Sequence, residues 1–190
     1  IRARATALAY GGAFVCEVES AEELPHKKAF IRDVIPGELV EAEVTEEKKN
    51  LVEARLTAVI EPSPARISPP CPLYGTCGGC DLQHMVIEAQ REAKVQMVKD
   101  TIRLHAGISA EAGVTLIGRE LPSCNYRKRI LLHCDPGGAM GFYRSKSGEV
   151  IDVQNCLLAG DGINMLLEKV RKYSSGFTSH AGSLVLEEHG

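Results

Sequence analysis

Tryptophan is absent from the 190 residues, and phenylalanine and tyrosine together make up only 5% of them. Any role that needs aromatic rings, such as stacking on unpaired bases, therefore falls on very few positions. No stretch of the sequence approaches the ~18 consecutive apolar residues of a membrane span, so no membrane partner is expected. An excess of positive charge is lacking too: 22 Lys and Arg stand against 25 Asp and Glu, a formal net charge of −3. Whole-molecule electrostatics give nucleic-acid binding no support, and such a role needs a local patch. A secretory leader is not expected either. Arg2 and Arg4 ahead of the Ala5 to Ala9 run imitate its beginning, but Gly11 and Gly12 interrupt it and a strand-like stretch follows. The chain opens on Ile1 rather than Met, so a trimmed or partial sequence is expected.

What is present, 44% hydrophobic and 25% charged residues, is the composition of a folded chain rather than a disordered one. Seven cysteines, an odd number without a leader, argue against a disulfide framework and for a reducing compartment, the cytoplasm. Metal or cluster ligation becomes their leading use.

Residues 1–60 read as all-β. Val40, Ala42 and Val44 alternate with Glu41, Glu43 and Thr45; Val52, Ala54, Leu56, Ala58 and Ile60 alternate with Glu53, Arg55 and Thr57. Several short strands with one apolar face close most economically as a small OB-like barrel. Residues 61–70 hold four prolines, which excludes helix and central strand and predicts a linker and domain boundary. Residues 85–106 read as one helix stopped by Gly107, with stripes at Val86, Ala89, Ala93, Met97 and Leu104 and at Ile87, Val95, Val98 and Ile102. Two stripes mean either burial within this chain or a face that awaits a domain absent from it. Residues 114–156 return to strands, with a hairpin turn at Asp135 to Gly138. A last helix starts at Asp161 with an apolar face of Ile163, Leu166, Leu167, Val170 and Tyr173, and Ser183 to Glu187 begins a strand. The fold class expected is mainly β with α: the barrel, then an α+β domain over 71–190.

Cys71, Cys77 and Cys80 follow a Cys-x5-Cys-x2-Cys spacing around Gly78 and Gly79. Glycines tolerate positive φ and let backbone N–H groups point at sulfur. Three readings compete: a four-iron cluster with a remote fourth thiolate from Cys16, Cys124, Cys134 or Cys156; a Cys3His zinc site using His84; or ordinary thiols. The Cys-x3-Cys-x2-Cys spacing of radical S-adenosylmethionine enzymes is not matched.

Between Arg119 and Lys146, six basic residues (Arg119, Arg127, Lys128, Arg129, Arg144, Lys146) face two acidic ones, with Tyr126, Phe142 and Tyr143 among them. Arg interleaved with aromatics suits unstacked single-stranded RNA, and alternation predicts that Arg127 and Arg129 share a face. Residues 1–60 carry 8 basic and 11 acidic side chains, with an acidic stretch at Glu17, Glu19, Glu22 and Glu23. RNA contact there would fall on a basic edge such as Arg2, Arg4, Lys27 and Lys28.

Pro62-Ser63-Pro64 leads into Cys71-Pro72 and Gly75-x-Cys77-Gly78-Gly79-Cys80-x-Leu82-Gln83-His84; Glu88-Ala89-Gln90, Asn125 to Arg129, Gly141 to Arg144 and Val150 to Cys156 follow. These motifs, over nearly the whole chain, resemble the iron–sulfur-cluster-containing RNA uracil-C5 methyltransferases that act on 23S ribosomal RNA and transfer RNA. The resemblance implies that residues 1–60 form a TRAM domain, an OB-like RNA-binding barrel. It implies that Cys71, Cys77, Cys80 and Cys156 hold a 4Fe-4S cluster, leaving Cys16, Cys124 and Cys134 as small buried hydrophobes, with His84 orienting the loop or making a structural hydrogen bond. Arg127, Lys128, Arg129, Arg144 and Tyr126 become the candidate RNA contacts.

The family's chemistry also needs a domain that binds S-adenosylmethionine, a cysteine that adds to C6 of uracil, and a base for the C5 proton. None is found in these residues. Leu157 to Gly162 reads as a helix cap and Gly137 to Gly141 as a turn. The expectation is the RNA-recognition and cluster-bearing portion of a monomeric methyltransferase, without catalytic residues and inactive alone, its helix 85–106 packing on the chain's own C-terminal methyltransferase domain. The alternative is a self-standing RNA-binding module with a structural iron–sulfur or zinc site and no enzymatic activity.

Overall fold

The alternation of the first sixty residues becomes five strands, β1 (Arg2–Leu8), β2 (Phe14–Ser20), β3 (Lys28–Ile31), β4 (Leu39–Glu47) and β5 (Leu51–Glu61). They close as a barrel in the order β1-β2-β3-β5-β4, with β4 returning to β1. Only β3 and β5 run parallel. This is the OB-like barrel expected. The computed structural model describes residues 1–20, 27–108, 113–118, 120–173 and 182–188, so Glu22, Glu23 and Arg119 lie outside the described residues.

Small side chains (Ala3, Ala5, Ala29, Ala42) share the barrel interior with Phe14 and Val52, which suits a narrow bore. The expected inward face of β5 holds at Val52, Ala54 and Leu56, then shifts. Ala42 pairs with Leu56 but Glu41 with Ala58, and Val40 with Val59 but Leu39 with Glu61. Each irregularity inserts an extra residue and reverses which face a side chain takes. Val59 therefore packs against the core, and Ile60 is exposed.

Residues 61–70 are not a free linker. The Glu38 carboxylate, fully buried, accepts from Arg66 Nη2 and Nε at 2.6 and 2.7 Å and from the Ser63 and Ile35 amides at 3.0 and 2.9 Å. Arg66 also donates to the Asp33 carbonyl. Arg66 then bridges Met85, with the Ile67 amide on the His84 carbonyl and the Val86 amide on the Ala65 carbonyl. Accordingly, one compact unit joins Ile1–Pro69 to Asp81–Arg119, and a second joins Pro70–Cys80 to Glu120–Gly190. The first break between the units falls between Pro69 and Pro70, and residues 81–119 return to the first unit. Proline content says where helix and central strand are impossible, not whether the chain there is packed.

Helix α1 (Ile87–Ala106) ends as expected on Gly107 in the left-handed region, its amide bonded to the Arg103 carbonyl. Ala89, Ala93 and Met97 pack against the barrel core. Leu104, placed in the same stripe, is exposed, as is Val98 in the second.

In the second unit the described residues of 114–128 form no regular strand. Strands β6 (Arg129–Cys134), β7 (Met140–Tyr143), β8 (Val150–Asp152) and β9 (Gly182–Glu187) make an antiparallel sheet ordered β8-β7-β6-β9. The expected turn at Asp135 to Gly138 joins β6 to β7, with Gly138 at φ 92° and Asp135 Oδ1 accepting from the Ala139 amide. Helix α2 (Asp161–Tyr173) buries Ile163 and Leu167 against Ile130, Leu132 and Leu186. Leu166 and Tyr173, expected on that face, are exposed.

Burial by itself would raise the Glu38 carboxyl, but Arg66 and the two amides hold it below its ordinary value. Its contribution is therefore fully present above the ordinary carboxyl range and lost as pH falls through the lowered value. Arg66→Ala is expected to cost about 3 kcal/mol, because it leaves a buried carboxylate without its cation. Urea unfolding at pH 7 measures this, and the loss should shrink as the pH drops below the carboxyl range.

Candidate functional site

The loop of residues 71–80 is built by short backbone bonds. The amide of Tyr74 reaches the Cys71 carbonyl at 3.1 Å, and that of Cys77 reaches Leu73 at 2.8 Å. Gly75 takes the left-handed conformation at φ 80°, whereas Gly78 and Gly79 do not take positive φ. Gly78 is needed for close approach instead. Its amide donates to the Tyr143 carbonyl at 2.9 Å, and a Cβ there would stand 2.9 Å from that same oxygen. Cys77 bridges Arg144 beside it. Gly79 does direct its amide at Cys77 Sγ, at 3.4 Å.

Burial pushes the Cys77 thiol up; the Gly79 amide opposes this, the thiolates of Cys156 and Cys71 add to it, and Arg127 opposes it. Cys71 and Cys156, 85 residues apart by numbering, are thus both within electrostatic reach of Cys77. Cys156 packs against the sheet core, its amide and carbonyl both held by the Asn164 side chain. Cys80 is half-buried. Of the remaining cysteines, Cys16 is fully buried and pushed up to about 12 by desolvation. Cys134 is partly buried against the second core, and Cys124 is half-exposed near the Ser123 hydroxyl, so the expectation of burial fails for Cys124.

The basic segment runs beside the fourth cysteine. The Asn125 and Arg127 amides donate to the Leu157 and Leu158 carbonyls, and the Gly160 amide donates to the Arg127 carbonyl. Arg127 is half-buried, its guanidinium carbon 6.0 Å from the centre of the half-exposed Tyr126 ring. Lys128 and Arg129 are exposed, and neither side chain has a partner among the described residues. Arg127 and Arg129 therefore have different surroundings. Arg144 is neutralised, with Nε and Nη2 on the two Glu149 oxygens at 2.6 and 2.9 Å. Phe142 turns to the core. On the barrel, Arg2 pairs with Glu41, Arg4 with Glu19 and Glu61, Lys27 with Glu47 and Lys28 with Glu17, so each cation of the proposed basic edge has an acidic partner.

Known proteins resemble this chain in sequence and fold. An uncharacterized RNA methyltransferase of Aquifex aeolicus is 39% identical over 168 residues, covering 87% of this chain and 37% of that protein. The 23S rRNA (uracil(1939)-C(5))-methyltransferase of Halomonas elongata is 32% identical over 170 residues, covering 87% and 35%. The chain belongs to the RNA uracil-C5 methyltransferase family. It spans little more than a third of the length of these curated relatives. No family model matches the chain. The fold is shared with a Pyrococcus abyssi tRNA (uracil-54, C5)-methyltransferase, solved in complex with S-adenosyl-L-homocysteine, at a TM-score of 0.63 and 17% identity, over 98% of this chain and 42% of that one.

In this methyltransferase-family chain, no group of three or more His, Cys, Asp or Glu side chains among the described residues is placed to hold a metal ion. His84 is buried, with Nε2 3.0 Å from the Val34 carbonyl and Nδ1 4.0 Å from Asp33. A four-iron cube has different needs, because each iron takes one thiolate and the four sulfurs surround a larger body than one ion. A loop with the Gly79 amide aimed at the Cys77 sulfur suits such a donor set. His133, not singled out in the sequence, stacks on Tyr143; only the register across β6 and β7 reveals it.

No helix among the described residues is long and apolar enough to cross a membrane. Gly78→Ala is expected to lift the loop from β7, at a cost of about 1–3 kcal/mol for the lost bond and the overlap. Amide exchange at position 78 and thiol labelling of Cys77 should both accelerate.

Proposed function

We propose that the chain is the RNA-recognition and iron–sulfur portion of an S-adenosylmethionine-dependent RNA uracil-C5 methyltransferase acting on ribosomal or transfer RNA in the cytoplasm. The observation that carries this reading is the seating of the Asn125 to Arg129 segment on the loop that follows Cys156, and of the cysteine loop on Tyr143, in a chain whose relatives bear RNA methyltransferase names. Cys71, Cys77, Cys80 and Cys156 would hold a 4Fe-4S cluster. When bound, its positive irons would let neighbouring thiols ionise together and would tie the loop to the Cys156 segment; methyl transfer moves no unpaired electron and needs no redox change.

Lys128 and Arg129 supply cations for phosphates, Tyr126 a half-exposed ring, and Arg127 a charge shared between that ring and Cys77. Arg144 contributes its fold to the strand end more than free charge, since Glu149 holds it. Binding S-adenosylmethionine, adding to uracil C6 and removing the C5 proton are assigned to residues outside this chain, which acts as a monomer without activity of its own. The outer stripe of α1, with Ile87, Val95, Val98 and Ile102, is assigned to packing on that methyltransferase domain.

Anaerobic purification should give a brown protein with about four irons and broad absorption near ~400 nm. Cys156→Ser should lose that absorption, while Cys16→Ser should keep it. A colourless chain with one zinc would refute the cluster. Lys128→Ala with Arg129→Ala should weaken RNA binding and lower the salt slope by roughly 0.7 per phosphate contact removed. An unchanged affinity and slope would remove these residues from the RNA interface.

A further inference from the structure

The sheet of the second unit has two unlike faces. Helix α2 covers one, through Ile163 and Leu167 on Ile130, Leu132 and Leu186. The other keeps large side chains at the surface: Leu131 is 48% exposed, Val185 43% and Tyr143 43%. Register brings them together. Leu131 stands opposite Val185, His133 opposite Ser183, and Arg129 opposite Glu187. The His133 ring lies on the Tyr143 ring with centroids 3.8 Å apart and planes 14° from parallel, and its Nδ1 is 3.0 Å from the Ser183 hydroxyl.

We infer that this face is a stacking platform for unpaired nucleotides of single-stranded RNA, an inference that rests on the RNA reading above. Three features select that occupant. A parallel aromatic pair propped by a hydroxyl offers a rigid π-surface on which a base can stack, with little ordering left to do on binding. Arg129, the first residue of β6, and Lys128 just before it are exposed and carry charge that complements a phosphate backbone. The aliphatic part is a single cross-strand pair, less than a stable protein interface buries. The platform is also fixed from behind its own strand, because the Gly78 amide of the cysteine loop is bonded to the Tyr143 carbonyl. Cysteine loop and base-stacking surface thus meet at one backbone hydrogen bond.

The test uses the chain with a short 5′-fluorescein-labelled oligouridylate in anisotropy titrations across a salt series, and folding of each variant is checked by thermal melting. Tyr143→Ala and His133→Ala are each expected to weaken binding about tenfold with the salt slope unchanged, since a stacking contact releases no counterions. Tyr143→Phe should bind as the unaltered chain does. Photocrosslinking with 5-iodouridine should mark Tyr143 or His133. If both alanine variants bind normally while Lys128→Ala with Arg129→Ala weakens binding, the RNA reading stands and the platform is overturned. If the unaltered chain binds no oligouridylate at any salt, both fall.

Discussion

A carboxylate with no exposure to water must find its partners inside the protein, and Glu38 finds four donors: the two Arg66 nitrogens and the amides of Ile35 and Ser63. Everything downstream in the first unit follows from that requirement. Arg66 can serve Glu38 only if the proline-rich stretch lies against the barrel. Once there, residues 65–67 pair with 84–86, which sets the start of α1 and lets Ala89, Ala93 and Met97 meet the core. Prolines help by holding the stretch extended and removing amides that would otherwise need partners.

The second unit depends on backbone proximity rather than on a buried charge. The cysteine loop is seated where Gly78 touches the end of β7, and no side chain fits between them. That contact fixes Cys77 beside Arg144, while the position of Cys156 is set by Asn164 of α2 and by the core under the sheet. The thiols and the basic segment are therefore neighbours through the 157–160 loop, not through any closeness in sequence.

Charge counting needed the most revision. A window from Arg119 to Lys146 is strongly basic, yet Glu149, three residues beyond it, neutralises Arg144. The barrel's basic edge is likewise paired with carboxylates from neighbouring strands. What persists is smaller and more specific: Lys128, Arg129 and a sheet face with two stacked rings. Exposed pairs contribute little to stability, but they decide how much field a surface projects.

Much of the fold was legible because short-range patterns carry it. Alternation marked the inward residues of β4 and β5 up to the bulges, Gly107 marked the end of α1, and Asp135 to Gly138 marked the hairpin. The cysteine spacing and the Asn125 to Arg129 run were visible as motifs, and they led to the family. Local order could not show that Ile60 would turn outward, that residues 61–70 would pack, or that β9 would pair with β6 across α2. Nor could it show the His133 and Tyr143 stack or the Gly78 contact. Each of these depends on which distant backbone lies alongside, and register between strands is set by the packing of the whole core, not by the residues that meet there.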